Sequence, residues 1–85
     1  MYKATVKLNL VDEVLKLAAI AQSKDYDIML RHGSYVIDAT SILGIMSLNL
    51  SEPVWIDVIE RNEGEALDLY GQLKNEGFNI KVVME

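Results

Sequence analysis

The spacing of the apolar residues changes near Val11-Asp12, and this change limits the folds open to the chain. Between Tyr2 and Leu10, apolar and polar residues alternate, which is typical of a half-buried strand. The next apolar residues follow helical spacing: Val11, Val14, Leu15, Ala18 and Ala21, with Leu17 and Ile20 widening the stripe. Asp12 and Glu13 lie where a helix N-terminus favours negative charge. We therefore expect a strand and then a helix that ends near Ser23-Lys24.

Two further apolar runs are joined by a short link that contains glycine. Asp27 to Arg31 and Tyr35 to Asp38 are predicted strands. His32-Gly33-Ser34 between them predicts a tight hairpin, because glycine accepts a positive φ. The only proline of the chain, Pro53, precedes a fourth predicted strand from Val54 to Glu60.

The last third of the chain predicts a long helix followed by an alternating segment. Asn62 and Glu65 have the spacing of a capping pair, and Gly77 suits the C-terminal cap. One face of this helix is apolar, with Ala66, Leu69, Tyr70 and Leu73. Phe78 to Met84 alternates enough to favour a fifth strand at the edge of a sheet, and a mobile tail is the alternative.

This order of elements, β-α-β-β-α-β-α with short links, predicts one α+β domain over residues 1–85. Eighty-five residues with 51% hydrophobic content suffice for a single compact core. We expect a four-stranded antiparallel sheet covered on one face by three helices, with the C-terminal strand as an extra edge. Trp55 is expected to be structural, packed on the sheet or half covered at its open face.

Composition excludes several classes of function. The chain has no cysteine and one histidine, His32, so neither thiolate chemistry nor a metal site is expected. A net charge of −5 with scattered cations argues against nucleic acid. The N-terminus lacks the apolar core of a signal peptide, and no segment reaches the roughly 20 apolar residues that cross a bilayer. We therefore expect a cytoplasmic protein without cofactor and without membrane attachment.

The segment from Ala39 to Leu50 has one glycine, no charge and more apolar residues than one stripe of a short helix can bury. Ser41 is a candidate N-cap, because its hydroxyl can accept from the N–H groups of the next turn. Ile42, Leu43 and Met46 are candidates for an exposed docking patch, and ordinary core packing is the alternative.

The run Ser41-Ile42-Leu43-Gly44-Ile45-Met46-Ser47-Leu48 resembles the second helix of HPr, the small phosphocarrier of the bacterial sugar phosphotransferase system. In length and element order the resemblance extends from about Met1 to Gly77, and it implies an HPr-like open-faced β-sandwich. It implies that Ser41 matches the regulatory serine that a dedicated kinase phosphorylates in Gram-positive relatives. It also implies that Ile42, Leu43 and Met46 match the family's docking patch for partner proteins.

The catalytic motif of the family, His-Ala-Arg-Pro at the start of the first helix, is not present. A gapless count back from Ser41 places Leu10-Val11-Asp12-Glu13 at those positions. Leucine has no nitrogen to phosphorylate, and two carboxylates repel an incoming phosphate. No histidine precedes His32 in the chain. The sequence therefore predicts that the phosphoryl relay is lost and that the protein is not an enzyme.

Three functions stay open at this point. The first is an HPr-like regulatory or protein-binding module acting through the Ser41 helix, as a monomer or weak dimer. Its partners would include a serine kinase and a transcriptional regulator or transport-system component. Ser41 as a plain N-cap is the alternative to this role. The second is a phosphocarrier that uses His32, which otherwise serves the hairpin. The third is a structural subunit whose apolar helix and C-terminal strand pair with another copy.

Overall fold

The computed structural model describes residues 2–59 and 63–84. Its elements are β1 (Tyr2–Lys7), α1 (Val11–Gln22), β2 (Ile28–His32), β3 (Tyr35–Asp38), α2 (Ile42–Met46), β4 (Val54–Val58), α3 (Glu63–Asn75) and β5 (Asn79–Met84). The fold is therefore α+β, as predicted. None of the helices in the described ranges has the length and apolar character needed to span a bilayer.

The five strands form one antiparallel sheet in the order β3-β2-β4-β1-β5. β5 pairs with β1 along its whole length, from Lys7 opposite Asn79 to Tyr2 opposite Met84. The C-terminal segment is thus an edge strand rather than a mobile tail. The sheet therefore consists of the four expected strands and β5 as the additional edge strand.

The two faces of the sheet differ in burial. Residues directly opposite one another in antiparallel strands share a face, so the register assigns every strand residue to one side. The buried face contributes Ala4, Val6, Ile28, Leu30, Val54 and Ile56 to the core, where they join helix residues such as Leu17, Ile45, Leu69 and Leu73. The opposite side, which we call the open face, has half-buried or exposed residues: Lys3, Thr5, Lys7, Met29, Arg31, Val36, Asp38, Trp55, Asp57, Asn79, Lys81 and Val83.

The first strand and helix differ in detail from the sequence prediction. β1 ends at Lys7, and Leu10 is the N-cap of α1 with an extended backbone, φ −131° and ψ 151°. An N-cap residue adopts β-region angles, so the alternation continues past the last paired residue. Val11 and Leu15 were expected on the buried stripe but are 56% and 45% exposed. The buried face of α1 is centred on Leu17 and Ala18 instead.

The hairpin and the last helix follow the prediction closely. The β2–β3 turn consists of Gly33 and Ser34, with Gly33 at φ 59°, while His32 still lies in β2. Gly77, at φ 92°, ends the turn after α3 as predicted, and its N–H donates to the Lys74 carbonyl at 3.1 Å. Asn62, the expected cap of α3, lies outside the described residues.

Candidate docking site

Two of the sequence-predicted site residues, Leu10 and Met46, line a cleft between the β1–α1 link and the end of α2, whereas Ser41, Ile42 and Leu43 are not part of its lining. The cleft has a volume of about 330 Å³. Its lining is mostly aliphatic and consists of Lys7, Leu8, Asn9, Leu10, Val11, Val14, Met46, Leu50 and Ser51. Leu10 and Met46 are far apart in the sequence, yet they are two walls of the same cleft.

Exposed apolar side chains lie at the start of α1 and along α2, and three of them, Leu10, Val11 and Met46, line the cleft. Five of them, which we call the docking patch, are Leu10 (65% exposed), Val11 (56%), Ile42 (36%), Leu43 (83%) and Met46 (46%). Ile45 is fully buried and fixes α2 on the core, so its neighbours in this short helix face outward. Single exposed apolar residues are ordinary, but several beside one cleft are typical of an interaction surface.

Sequence reasoning missed part of the docking patch. Leu10 was interpreted as the end of a strand and Val11 as part of the buried stripe of α1. The available signal was that α1 has more apolar residues than one buried stripe requires. For Ile42, Leu43 and Met46 the two interpretations were exposure and core packing, and all three are exposed.

The start of α1 is closed by a carboxylate. Glu13 Oε1 accepts hydrogen bonds from the backbone N–H of Asn9 at 2.7 Å and of Leu10 at 3.2 Å. The Leu10 carbonyl in turn accepts from the N–H of Glu13 at 3.0 Å. Two N–H groups at this end of α1, those of Asn9 and Leu10, are therefore paired with a carboxylate of the chain itself. Leu10 adds no atom that could accept a phosphoryl group.

A basic side chain lies next to this turn. Lys7 Nζ donates to Asn9 Oδ1 at 3.0 Å and to the Leu8 carbonyl at 3.3 Å. These two bonds fix the ammonium at the rim of the cleft. In a mostly apolar pocket, a polar group in such a position fixes the orientation of the bound ligand.

Ser41 is the N-cap of α2, as predicted. It is exposed, and its Oγ accepts from the Gly44 N–H at 3.0 Å. The absence of a side chain at Gly44 permits this contact, because a Cβ there would lie 3.0 Å from Ser41 Oγ and 3.2 Å from Ser41 Cβ. The hydroxyl is thus both a structural cap and accessible from solvent.

The turn that leads into α2 is also ordered by hydrogen bonds. Asp38 Oδ1 accepts from the Thr40 N–H at 2.9 Å and from Thr40 Oγ1 at 2.7 Å. Both bonds stabilise the carboxylate and hold the pKa of Asp38 below its ordinary value. The bond from the Thr40 backbone N–H makes the larger contribution. The Ser41 N–H donates to the Asp38 carbonyl at 3.0 Å, which fixes the cap residue itself.

His32 has a carboxylate as its charged partner. Its Nε2 lies 3.2 Å from Glu52 Oε1, and its side chain is 28% exposed. A carboxylate beside an imidazole orients the ring, but it also repels an approaching phosphate. Within residues 2–59 and 63–84, no group of three His, Asp or Glu side chains is placed to hold a metal ion.

No model of a known protein family and no curated protein matches this chain. The interpretation of the site therefore depends on its own geometry.

Proposed function

We propose that this protein is an HPr-like regulatory module related to the bacterial sugar phosphotransferase system. It binds protein partners in the cytoplasm through the docking patch and does not transfer a phosphoryl group. One observation carries the proposal: exposed apolar residues from two distant parts of the chain, Leu10 and Val11 at the start of α1 and Met46 at the end of α2, line one cleft of about 330 Å³. In a family phosphocarrier the corresponding turn presents a histidine, whereas Leu10 and Glu13 occupy it here.

The size and chemistry of the cleft indicate what it accepts. Its volume lies within the roughly 300–1,000 Å³ typical of binding pockets, and its walls are aliphatic. Such a cleft suits one large aliphatic or aromatic side chain of a partner protein, with Lys7 and Ser51 at the rim for polar contacts. Leu43, at 83% exposure, extends the contact surface along α2.

Ser41 connects this surface to regulation. It is in the same short segment as Ile42 and Leu43 and is accessible to a kinase. A phosphate there would add a charge of about −1.5 to −2 beside an apolar surface and change which partners bind. The expected partners are a serine kinase and a transcriptional regulator or transport-system component.

Binding to the family's serine kinase, measured by calorimetry, tests the docking patch. We expect Leu43→Glu to weaken binding by about tenfold or more, because a carboxylate would be buried against an apolar surface. Leu67→Glu is the matched control, since Leu67 is 39% exposed on α3 and outside the docking patch. Equal affinities for Leu43→Glu and the unmodified chain, or an equal loss in both variants, would contradict the proposal.

Two phosphorylation assays test the chemistry. With the serine kinase and ATP, mass spectrometry should show one added phosphate that Ser41→Ala abolishes. With the first enzyme of the phosphotransferase system and phosphoenolpyruvate, no acid-labile label should appear. A label on His32 would establish a phosphocarrier instead, and modification that persists in Ser41→Ala would remove the assigned regulatory site.

A further inference from the structure

The charges of the described residues are segregated between the open face and the rest of the surface. The open face has four cations and two carboxylates, namely Lys3, Lys7, Arg31 and Lys81 with Asp38 and Asp57. The other described residues include three cations and nine carboxylates, namely Lys16, Lys24 and Lys74 with Asp12, Glu13, Asp25, Asp27, Glu52, Glu63, Glu65, Asp68 and Glu76. A protein of net charge −5 therefore has one face on which cations are in excess.

The only tryptophan of the chain lies at the centre of this face. Thr5 pairs with Trp55 and with Lys81, and Arg31 pairs with Trp55, so these four residues form one row across four strands. The Arg31 guanidinium lies 5.7 Å from the centre of the Trp55 ring, and its Nε is 3.2 Å from Asp57 Oδ2. A half-buried aromatic ring thus lies between two basic side chains.

The spacing of this row fits an extended polypeptide. Lys81 and Arg31 are three strand spacings apart, which places their backbones about 14 Å from one another. An extended chain that crosses the strands would cover this distance in about four residues. Its acidic residues at both ends would meet Lys81 and Arg31, while an apolar residue between them would contact Trp55.

We propose that the open face binds an extended acidic segment of a partner protein, anchored on Trp55 and held by Arg31 and Lys81. Charge complementarity selects this occupant. A second copy packed sheet to sheet would place excess positive charge against excess positive charge. A nucleic acid longer than the face would run onto a surface where carboxylates outnumber cations three to one. No residue of the docking patch belongs to the open face, and Lys7 is the one residue that both the cleft lining and the open face include.

Tryptophan fluorescence of the full chain tests the proposal, because Trp55 is its only source. The probe is a ten-residue peptide with acidic pairs on both sides of a central leucine and phenylalanine. We expect it to change the Trp55 emission in a saturable way, with an affinity that falls as salt is added. The same peptide with amides in place of the carboxylates should have an affinity at least about tenfold lower. An oligouridylate of equal length should leave the emission unchanged.

Matched charge variants locate the contact. Lys81→Gln should weaken binding of the acidic peptide by about threefold or more, and Lys74→Gln, which has the same net charge but lies on α3, should leave it unchanged. Circular dichroism confirms that both variants are folded. Equal weakening in both variants, equal binding of the amide peptide, or a response to the oligouridylate without one to the peptide would each overturn the proposal.

Discussion

The carboxylate of Glu13 accepts a hydrogen bond from the backbone N–H of Leu10 at 3.2 Å, and a second from Asn9 at 2.7 Å. The residue that precedes α1, Leu10, has an aliphatic side chain. The N–H groups of Leu10 and Asn9 are both paired with this carboxylate. The exposed side chains of Leu10 and Val11 make this end of α1 suited to apolar contact.

We predict that Glu13→Ala lowers the free energy of unfolding by about 1 kcal/mol, because the N–H groups of Asn9 and Leu10 lose their acceptor. Glu13→Gln is the control that removes the charge and keeps an acceptor oxygen. Glu13→Gln should lower the free energy of unfolding by less than half as much as Glu13→Ala does. Urea denaturation of the three proteins measures the difference. Equal losses in both variants would mean that charge near the helix end, rather than the hydrogen bonds, provides the stabilisation.

Two glycine-to-alanine substitutions should change the free energy of unfolding in opposite directions. Gly44→Ala places a Cβ 3.0 Å from Ser41 Oγ and displaces the cap, so we expect a loss of about 1 kcal/mol despite the better helix propensity of alanine. Gly71→Ala, within α3, meets no atom within 4 Å and should gain about 0.5–1 kcal/mol. Thermal or urea denaturation provides both values. A gain at Gly44 would show that the Ser41 contact contributes little.

Alkaline pH should destabilise the fold through Tyr70. Its side chain is 4% exposed, and burial, with a smaller contribution from the Asp57 charge, raises its pKa above the ordinary value of 10.0. The folded state prefers the neutral phenol, so this stabilisation is complete below the unfolded pKa and is lost as pH rises through the folded pKa. Tyr70→Phe should therefore flatten the decline in unfolding free energy above about pH 10. Tyr35→Phe, at a 69% exposed residue, should leave the slope unchanged.

Acid pH should act on the turn before α2. Because Thr40 donates two hydrogen bonds to the Asp38 carboxylate, the pKa of Asp38 is below its ordinary value of 3.8. The stabilisation is present above the unfolded pKa and is lost as pH falls through the folded pKa. NMR titration of the Asp38 carboxyl should show this low pKa directly. In Thr40→Ala the pKa should rise only part of the way, because the backbone N–H remains. A full return to the ordinary value would assign the whole effect to the hydroxyl.

Local sequence patterns were sufficient for most of the secondary structure. The period-two segment and the helical spacing after Val11 predicted β1 and α1, and the glycine between two apolar runs predicted the β2–β3 hairpin. These signals are local, since they depend on the alternation of side chains within one element. Alternation alone could not place the end of β1, because the N-cap residue Leu10 has the same extended backbone as a strand.

What the sequence by itself determined is the α+β class, the order of the elements, the Ser41 cap and the presence of a leucine, with no histidine, at the start of α1. Only the tertiary structure decided that β5 completes the sheet beside β1, that Leu10 and Met46 share a cleft, and that Lys81, Trp55 and Arg31 lie in one row. These relations join residues that are distant in the chain. They depend on strand register and on which helix face is buried, and both are set by packing of the whole core rather than by any local pattern.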